Sequence, residues 1–191
     1  MKIGLLGGSF NPIHNGHIEI ALAALKQDLV QQVWFIPSYI HPLKNHNGSA
    51  DFHSRLTFIK KAIANLPDCF ACDFEKRFEN ISFTEKLMKF LFQRFTEHEF
   101  HFMIGYDIIP DLNRWYNYNW LKDNVNFLVI TRQIEKDISA INDLKSCQFL
   151  KITPINISST QIRNLISQRK SIKGLVPEAI ESDIIEIYQK K

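Results

Sequence analysis

Two histidines three residues apart, His14 and His17, stand where the sequence predicts the start of a helix. They follow Gly7 and Gly8, which end a short apolar run and begin a turn that also holds a proline. Glycine has no Cβ, so this backbone could adopt positive φ and approach a ligand closely. The first N–H groups of a helix lack intrahelical partners and favour anions. The stretch therefore predicts a phosphate site that presents imidazoles.

This pattern differs from two common phosphate loops. It lacks the Gly-x-Gly-x-x-Gly spacing of dinucleotide-binding proteins, and no Gly-Lys-Ser or Gly-Lys-Thr follows the glycines. The imidazoles stand where a P-loop would present a lysine.

Two further polar features lie far along the chain. Ser158 and Gln161 have the spacing of a capping box, in which side chains bind the first N–H groups of a helix. Arg163 follows within the first turns of that predicted helix. Asp107 lies in a turn directly after a predicted strand at 100–104.

Apolar runs that read as strands alternate with helical patterns. Strands are predicted near 2–8, 32–36, 69–74, 100–104, 127–130 and 149–153, and helices begin near 16, 52, 82, 158 and 177. Such alternation predicts an α/β fold, a parallel sheet with helices on both faces and right-handed crossovers. Ligands of these sheets bind beyond the carboxyl ends of the strands, so the polar features should meet at that edge.

A long polar loop is predicted at 37–51, between the second strand and the next helix. It contains Lys44, and loops of this length in compact domains are usually functional. Arg55 follows at the start of the helix, where it is available to this loop.

The composition fits one domain over 1–191, with a C-terminal helical part from about 158. The net charge of +3 is too small to indicate nucleic-acid binding. No apolar run is long enough for a membrane span, which predicts a soluble cytoplasmic protein without a membrane partner. Three cysteines suit a reducing compartment. Cys69 and Cys72 have metal-like spacing, but on a predicted strand they would face opposite sides.

The run from Gly7 to His17, read together with Ile157 to Arg163, resembles the nucleotidyltransferase superfamily of the HxGH type. More narrowly, the chain is similar to the bacterial nicotinate mononucleotide adenylyltransferases, a family of NAD biosynthesis. The segments 105–107 and 115–124 also match that family, so the resemblance spans nearly the whole chain. It implies a Rossmann-like, doubly wound sheet.

The resemblance implies a reaction of ATP with nicotinate mononucleotide that gives deamido-NAD and pyrophosphate. Mg²⁺ would arrive on the ATP, and no metal site of the protein's own is expected. The attacking 5′-phosphate is ionised at pH 7, so no deprotonating base is needed. Catalysis would then consist of alignment and charge stabilisation.

The same resemblance implies roles for individual residues. His14, His17 and Arg163 would be catalytic. The expected ATP-binding residues are Gly7, Gly8, Ser9, Phe10, Lys44, Ser158, Ser159 and Thr160. Those expected to bind the mononucleotide are Asp107, Trp115 and Tyr116, whereas Trp120 is assigned to packing.

Several alternatives stay open on the sequence. Ser9 and Asn11 stand where Thr and Asp are usual in the family. The acceptor could instead be nicotinamide mononucleotide or pantetheine phosphate, although the pantetheine-phosphate family usually has Thr where His14 stands. A nucleotide sensor without turnover is an alternative of another class. Asp107 could simply cap the next helix, and assembly into a homo-oligomer is left open.

Overall fold

A computed structural model of the chain describes residues 1–40, 50–78, 82–131, 141, 143–153 and 156–189. The strands are β1 (Lys2–Gly8), β2 (Gln32–Pro37), β3 (Cys69–Ala71), β4 (Glu99–Gly105), β5 (Asn126–Thr131) and β6 (Ser146–Lys151). The α-helices are α1 (Asn15–Lys26), α2 (Phe52–Ala62), α3 (Thr84–Arg94), α4 (Tyr118–Asn124), α5 (Ser159–Ser167) and α6 (Glu181–Gln189). Short 3₁₀ segments lie at Phe74–Phe78, Tyr106–Arg114 and Glu178–Ile180.

The six strands form one parallel sheet in the order β3-β2-β1-β4-β5-β6. This confirms the predicted Rossmann-like α/β class. From β1 the chain builds outward on one side, and it then crosses to β4 and builds outward on the other. The switch point therefore lies between the carboxyl ends of β1 and β4, where open α/β sheets bind ligands.

Both faces of the sheet are buried, which explains why its strands read as continuous apolar runs rather than alternating ones. One face packs against α1, α2, α5 and α6, through residues such as Phe35, Ile59 and Ile162. The other face packs against α3 and α4, through Phe100, Phe127 and others. No helix of the described residues is long and apolar enough to cross a bilayer.

The helix predicted to begin near 82 begins at Thr84, but without the capping box that the spacing of Ser82 and Glu85 predicts. Ser82 and Glu85 do not form a capping box, because Phe83 is the N-cap residue of α3 and no side chain caps it. The Ser82 hydroxyl instead accepts a hydrogen bond from the Tyr39 N–H (2.9 Å). Glu85 pairs with Lys89 of its own helix and accepts a hydrogen bond from the Asn117 side chain. A distant N–H therefore occupies the Ser82 hydroxyl, and Glu85 binds side chains instead of the helix backbone.

The three cysteines all lie in the described part of the chain and form no disulfide. Cys69 is in β3, whereas Cys72 lies beyond it, because this strand is shorter than predicted. Burial raises the pKa of Cys69 to about 11 and that of Cys72 to about 12. Both are therefore thiols at neutral pH.

Candidate active site

The polar features singled out in the sequence meet at the switch point. Gly7 and Gly8 end β1 beside β2, in register with Ile36 and Pro37. On the other side of β1, β4 ends at Gly105 and leads directly to Asp107. The loop from Ser9 to His14 and the N-terminus of α1 lie above this edge.

Gly7 and Gly8 do not act through positive φ, as their sequence context had suggested. Both lie in the extended strand β1, and within the described chain Gly174 is the glycine with positive φ. A Cβ on Gly7 would meet the Phe102 ring at 3.2 Å, and one on Gly8 would meet the Phe10 ring at 3.4 Å. Gly7 thus makes room for the Phe102 ring, whereas a Cβ on Gly8 would be in ordinary contact with the Phe10 ring.

Phe10, not a glycine, carries the left-handed turn of the loop, with φ at 45°. Such a conformation is uncommon for a residue with a side chain. Its ring is 2% exposed and packs against Phe35 and, edge-on, against His17 at 4.8 Å between centroids. Burial of this ring stabilises the turn, which places the following residues over the start of α1.

His14 and His17 lie side by side, as their spacing predicted. Their ring centroids are 3.8 Å apart and the rings are tilted by 31°. The backbone N–H of His14 donates to Nδ1 of His17 at 3.2 Å. In the neutral ring an accepting nitrogen carries no proton, so the proton of His17 lies on Nε2. That donor suits a phosphate oxygen.

His14 is the more buried of the pair, at 8% exposure. Burial lowers its pKa from 6.5 to about 4, so the ring is neutral at pH 7. Within the described residues its buried Nδ1 has no hydrogen-bond partner. A neutral imidazole can donate a hydrogen bond to an anion without bringing a full charge.

Arg163 meets the histidine loop from a distant part of the sequence. Its Nη1 donates to the backbone oxygen of Asn11 at 2.7 Å, and its Nη2 donates to Oγ1 of Thr160 at 3.2 Å. The Ser159 hydroxyl donates to the Pro12 oxygen at 2.8 Å. The start of α5 is thus fastened to the loop between β1 and α1, and the two motifs form one site.

The predicted cap of α5 is confirmed on one side. The Ser158 hydroxyl accepts a hydrogen bond from the Gln161 N–H at 3.1 Å. Side-chain capping of this kind fixes the direction in which a helix begins. It therefore helps to hold Arg163 at the loop.

A network that sequence reasoning missed joins the loop to the last helix. Oδ1 of Asn11 accepts hydrogen bonds from the Tyr188 hydroxyl of α6 and from the Ala50 N–H, the latter at 3.0 Å. Tyr188 is 7% exposed, and its helical spacing marked it only as a core residue. A buried tyrosine needs a partner for its hydroxyl, which was the available signal.

Asp107, Trp115 and Tyr116 lie along the far side of the switch point. The Asp107 side chain folds over the end of β4, where a Cβ on Gly105 would meet its Oδ1 at 2.2 Å. Trp115 is half-buried and packs edge-on against Phe102 at 6.0 Å. Tyr116 is 55% exposed and stacks on Phe83 at 4.7 Å. Trp120 packs among the core residues, as predicted.

Lys44 falls outside the described residues, as does most of the predicted loop at 37–51. Among the residues that are described, no group of three or more His, Cys, Asp or Glu side chains could hold a metal ion. Arg55 lies within the protein rather than on the loop surface, and its contacts are described further below.

The burial of His14 predicts a pH dependence of stability. Its pKa is about 4 in the folded chain and 6.5 when unfolded, so the unfolded chain takes up the proton first as the pH falls. Stability is therefore lost as the pH falls below 6.5 toward 4. We expect this group alone to cost about 2 kcal/mol of unfolding free energy between pH 7 and pH 5.

Urea unfolding of the parent protein and of His14→Gln at both pH values measures this loss. Glu75 acts in the opposite sense, because burial raises its pKa to about 7, but it is present in both proteins and cancels. The free-energy difference between the two proteins should shift by about 2 kcal/mol. Parallel pH profiles would show that His14 does not titrate with an altered pKa.

Comparison with known proteins extends these observations. A family model described as cytidylyltransferase-like matches residues 5–165. The fold is similar to Plasmodium falciparum nicotinic acid mononucleotide adenylyltransferase complexed with NaAD, at 21% identity and a TM-score of 0.82, over 99% of this chain and 95% of that one. The complex with APC gives 0.79 at 21% identity, over 99% and 94%. A Vibrio parahaemolyticus protein, described as a candidate nicotinate-nucleotide adenylyltransferase, gives 0.72 at 18% identity, over 100% and 96%.

Proposed function

The chain belongs to the cytidylyltransferase-like family, and from that premise we propose that it transfers the adenylyl group of ATP to nicotinate mononucleotide. The products are deamido-NAD and pyrophosphate. One observation carries the proposal: Arg163 and Ser159, at the start of α5, donate hydrogen bonds to the loop that presents His14 and His17. The similarity in fold to adenylyltransferases of nicotinate mononucleotide supports this choice of acceptor.

The reaction needs no covalent intermediate with the protein. An oxygen of the 5′-phosphate of the mononucleotide forms a bond to the α-phosphorus of ATP. The bond from that phosphorus to the oxygen bridging to the β-phosphorus breaks, and pyrophosphate leaves with the electron pair. No proton has to move, so the site acts by orientation and by stabilising negative charge.

The two histidines and the arginine supply different parts of that stabilisation. His17 donates from Nε2 to the phosphates, because its Nδ1 is held by the His14 N–H. His14 is neutral and contributes a hydrogen bond rather than a charge. Arg163 brings a permanent positive charge and a planar fork for the β- and γ-phosphates. One of its N–H groups binds the Asn11 oxygen of the loop and another binds Thr160 of its own helix, and these two bonds set its position before ATP arrives.

The mononucleotide would bind between the ends of β1 and β4. Trp115 lies over Phe102, whose ring in turn fills the space above Gly7, so an aromatic platform adjoins the phosphate loop. Tyr116 extends this platform into solvent, and Asp107 offers a carboxylate to ribose hydroxyl groups. Ser9, Phe10, Ser158, Ser159 and Thr160 surround the triphosphate in this proposal, and Lys44 remains a predicted contact.

Mg²⁺ would enter on the phosphate oxygens of ATP, where it neutralises charge on the leaving pyrophosphate. The described residues fit this arrangement, since they present imidazoles and a guanidinium to the triphosphate rather than a cluster of carboxylates. We place the reaction in the cytoplasm, where ATP is supplied and where the three thiols stay reduced.

Release of pyrophosphate in the presence of ATP, Mg²⁺ and one acceptor at a time tests the proposal. We expect the highest kcat/KM with nicotinate mononucleotide, a lower value with nicotinamide mononucleotide, and the lowest with pantetheine phosphate. The dinucleotide formed should be identified by its mass, and reactions without acceptor serve as the blank.

Each of the other possible outcomes would contradict a different part of the proposed function. A higher kcat/KM with nicotinamide mononucleotide would make the acid assignment wrong. ATP binding without pyrophosphate release from any acceptor would indicate a nucleotide sensor. A protein that does not bind ATP would overturn the proposal altogether.

A further inference from the structure

Arg55 is an arginine buried inside the protein, at 6% exposure, next to the phosphate loop. Its guanidinium donates to backbone oxygens from three separate segments. Nη1 donates to Ser9 at 2.7 Å and Nε donates to Ala50 at 3.1 Å. Nη2 donates to Ser38 at 2.8 Å and to Tyr39 at 3.4 Å. One side chain thus ties the β1–α1 loop to the chain after β2 and to Ala50, two residues before α2.

Carbonyl dipoles supply the hydrogen bonds to the charge of Arg55, and the Asp51 carboxylate adds a favourable charge interaction at longer range. Among the described residues no ion pair involves Arg55, and the neighbouring Asp51 carboxylate caps α2 by accepting from Ser54. The Phe52 ring lies 5.6 Å from the guanidinium carbon. Burying a charge is costly unless hydrogen bonds and nearby opposite charges offset the loss of water. A positive charge here attracts anions bound at the adjacent loop.

The bond to Ser9 also fixes the direction of the next N–H group. In a trans peptide the C=O and the following N–H point to opposite sides of the chain. The Ser9–Phe10 peptide is trans, since within the described residues the cis bond is Asn11–Pro12. Because the Ser9 oxygen faces Arg55, the Phe10 N–H faces away from Arg55.

We propose that Arg55 is a positioning residue that holds the Ser9–Phe10 peptide so that the Phe10 N–H binds a phosphate of ATP. The inference rests on the proposed function, because it takes ATP as the ligand. Arg55 touches no substrate and acts through the loop backbone. The left-handed φ of Phe10 bends the chain directly after this peptide, and Arg55 holds the peptide itself through the Ser9 oxygen.

Displacement of a fluorescent ATP analogue by ATP and by adenosine tests the inference. Arg55→Lys keeps the charge, but a single ammonium group cannot donate to all of the backbone oxygens that the guanidinium binds. We therefore expect the affinity of this variant for ATP to fall about tenfold. Its affinity for adenosine, which has no phosphate, should stay unchanged. Arg94→Lys, an exposed change at the end of α3, is the matched control and should bind both as the parent does.

A purely structural role gives a different result. If ATP and adenosine affinities stay unchanged, or fall equally, in a variant that unfolds at the same urea concentration as the parent, the inference is wrong. Arg55→Met, which removes the buried charge and is similar in length, is the second variant, and it should lose at least as much ATP affinity as Arg55→Lys.

A measurement on the unchanged protein does not depend on any variant folding. With ¹⁵N-labelled protein, the amide proton of Phe10 should shift on addition of ATP or tripolyphosphate but not of adenosine. An unchanged Phe10 resonance at saturating ATP overturns the inference. ATP binding without dinucleotide formation would make the proposed function fail alone, because these measurements need no acceptor.

Discussion

Replacement of His17 by asparagine should lower kcat for dinucleotide formation on the order of a hundredfold or more. The asparagine oxygen can take the place of Nδ1 and accept from the His14 N–H, so the start of α1 keeps its hydrogen bond. The Nε2 donor is lost. Loss of one donor aimed at developing charge commonly costs roughly 3 to 4 kcal/mol in the transition state.

His17→Gln is the partner variant, because a glutamine nitrogen can reach the place of Nε2. It should retain clearly more activity than His17→Asn, although it loses the acceptor for the backbone. His98→Asn, a change before β4 at the opposite edge of the sheet, controls for loss of a histidine. The rates of the three variants and of the parent are compared at saturating ATP and acceptor. A His17→Asn rate near that of the parent would exclude His17 from the chemistry.

Much of the fold could be predicted from local patterns. Buried strands such as β2 and β5 appear as uninterrupted apolar runs, and amphipathic helices such as α6 show their spacing directly. The alternation of the two then restricts topology, since crossovers are right-handed and ligands gather at the switch point. The meeting of His14, His17 and Arg163 followed from that rule once both motifs were placed at one edge.

Interactions between distant segments were the part that the sequence did not give. Arg55 was expected only to be available to the polar loop before α2, because nothing local shows that Ser9, Ser38 and Ala50 all turn a carbonyl toward it. Tyr188 looked like one more core residue of an amphipathic helix. Their partners lie up to 177 residues away along the chain, and hydrogen bonds of that kind leave no periodic signature.

The predictions of loop glycines and of a capping box at Ser82 and Glu85 fail for the same reason. Gly7 and Gly8 were assigned to loop conformation, yet both lie in β1, and what favours Gly7 is the close approach of Phe102. The spacing of Ser82 suits a local cap, but its hydroxyl accepts a hydrogen bond from the Tyr39 N–H instead. A local motif states which bonds a side chain can make, and the tertiary fold decides which of them forms.

Replacement of Arg163 by alanine should have the largest effect of any change at the site, about a thousandfold in kcat/KM for ATP. Arg163→Lys should recover only part of this, with a loss of about a hundredfold, because an ammonium group cannot bind two phosphate oxygens as a fork does. Arg94→Lys is again the control for the same chemical change at an exposed position. Steady-state rates at varied ATP and saturating acceptor give these values.

The reverse reaction separates a phosphate clamp from general damage to the loop, since Arg163 also donates to the Asn11 oxygen. If Arg163 binds the β- and γ-phosphates, then KM for pyrophosphate should rise at least tenfold in Arg163→Lys, as these are the groups that become pyrophosphate. KM for deamido-NAD, which lacks both phosphates, should change little. Equal increases in the two constants would mean that Arg163 holds the loop rather than the leaving group. The expected asymmetry requires Arg163 to lie on the pyrophosphate side of the bond that breaks, with His14 and His17 nearer the α-phosphate.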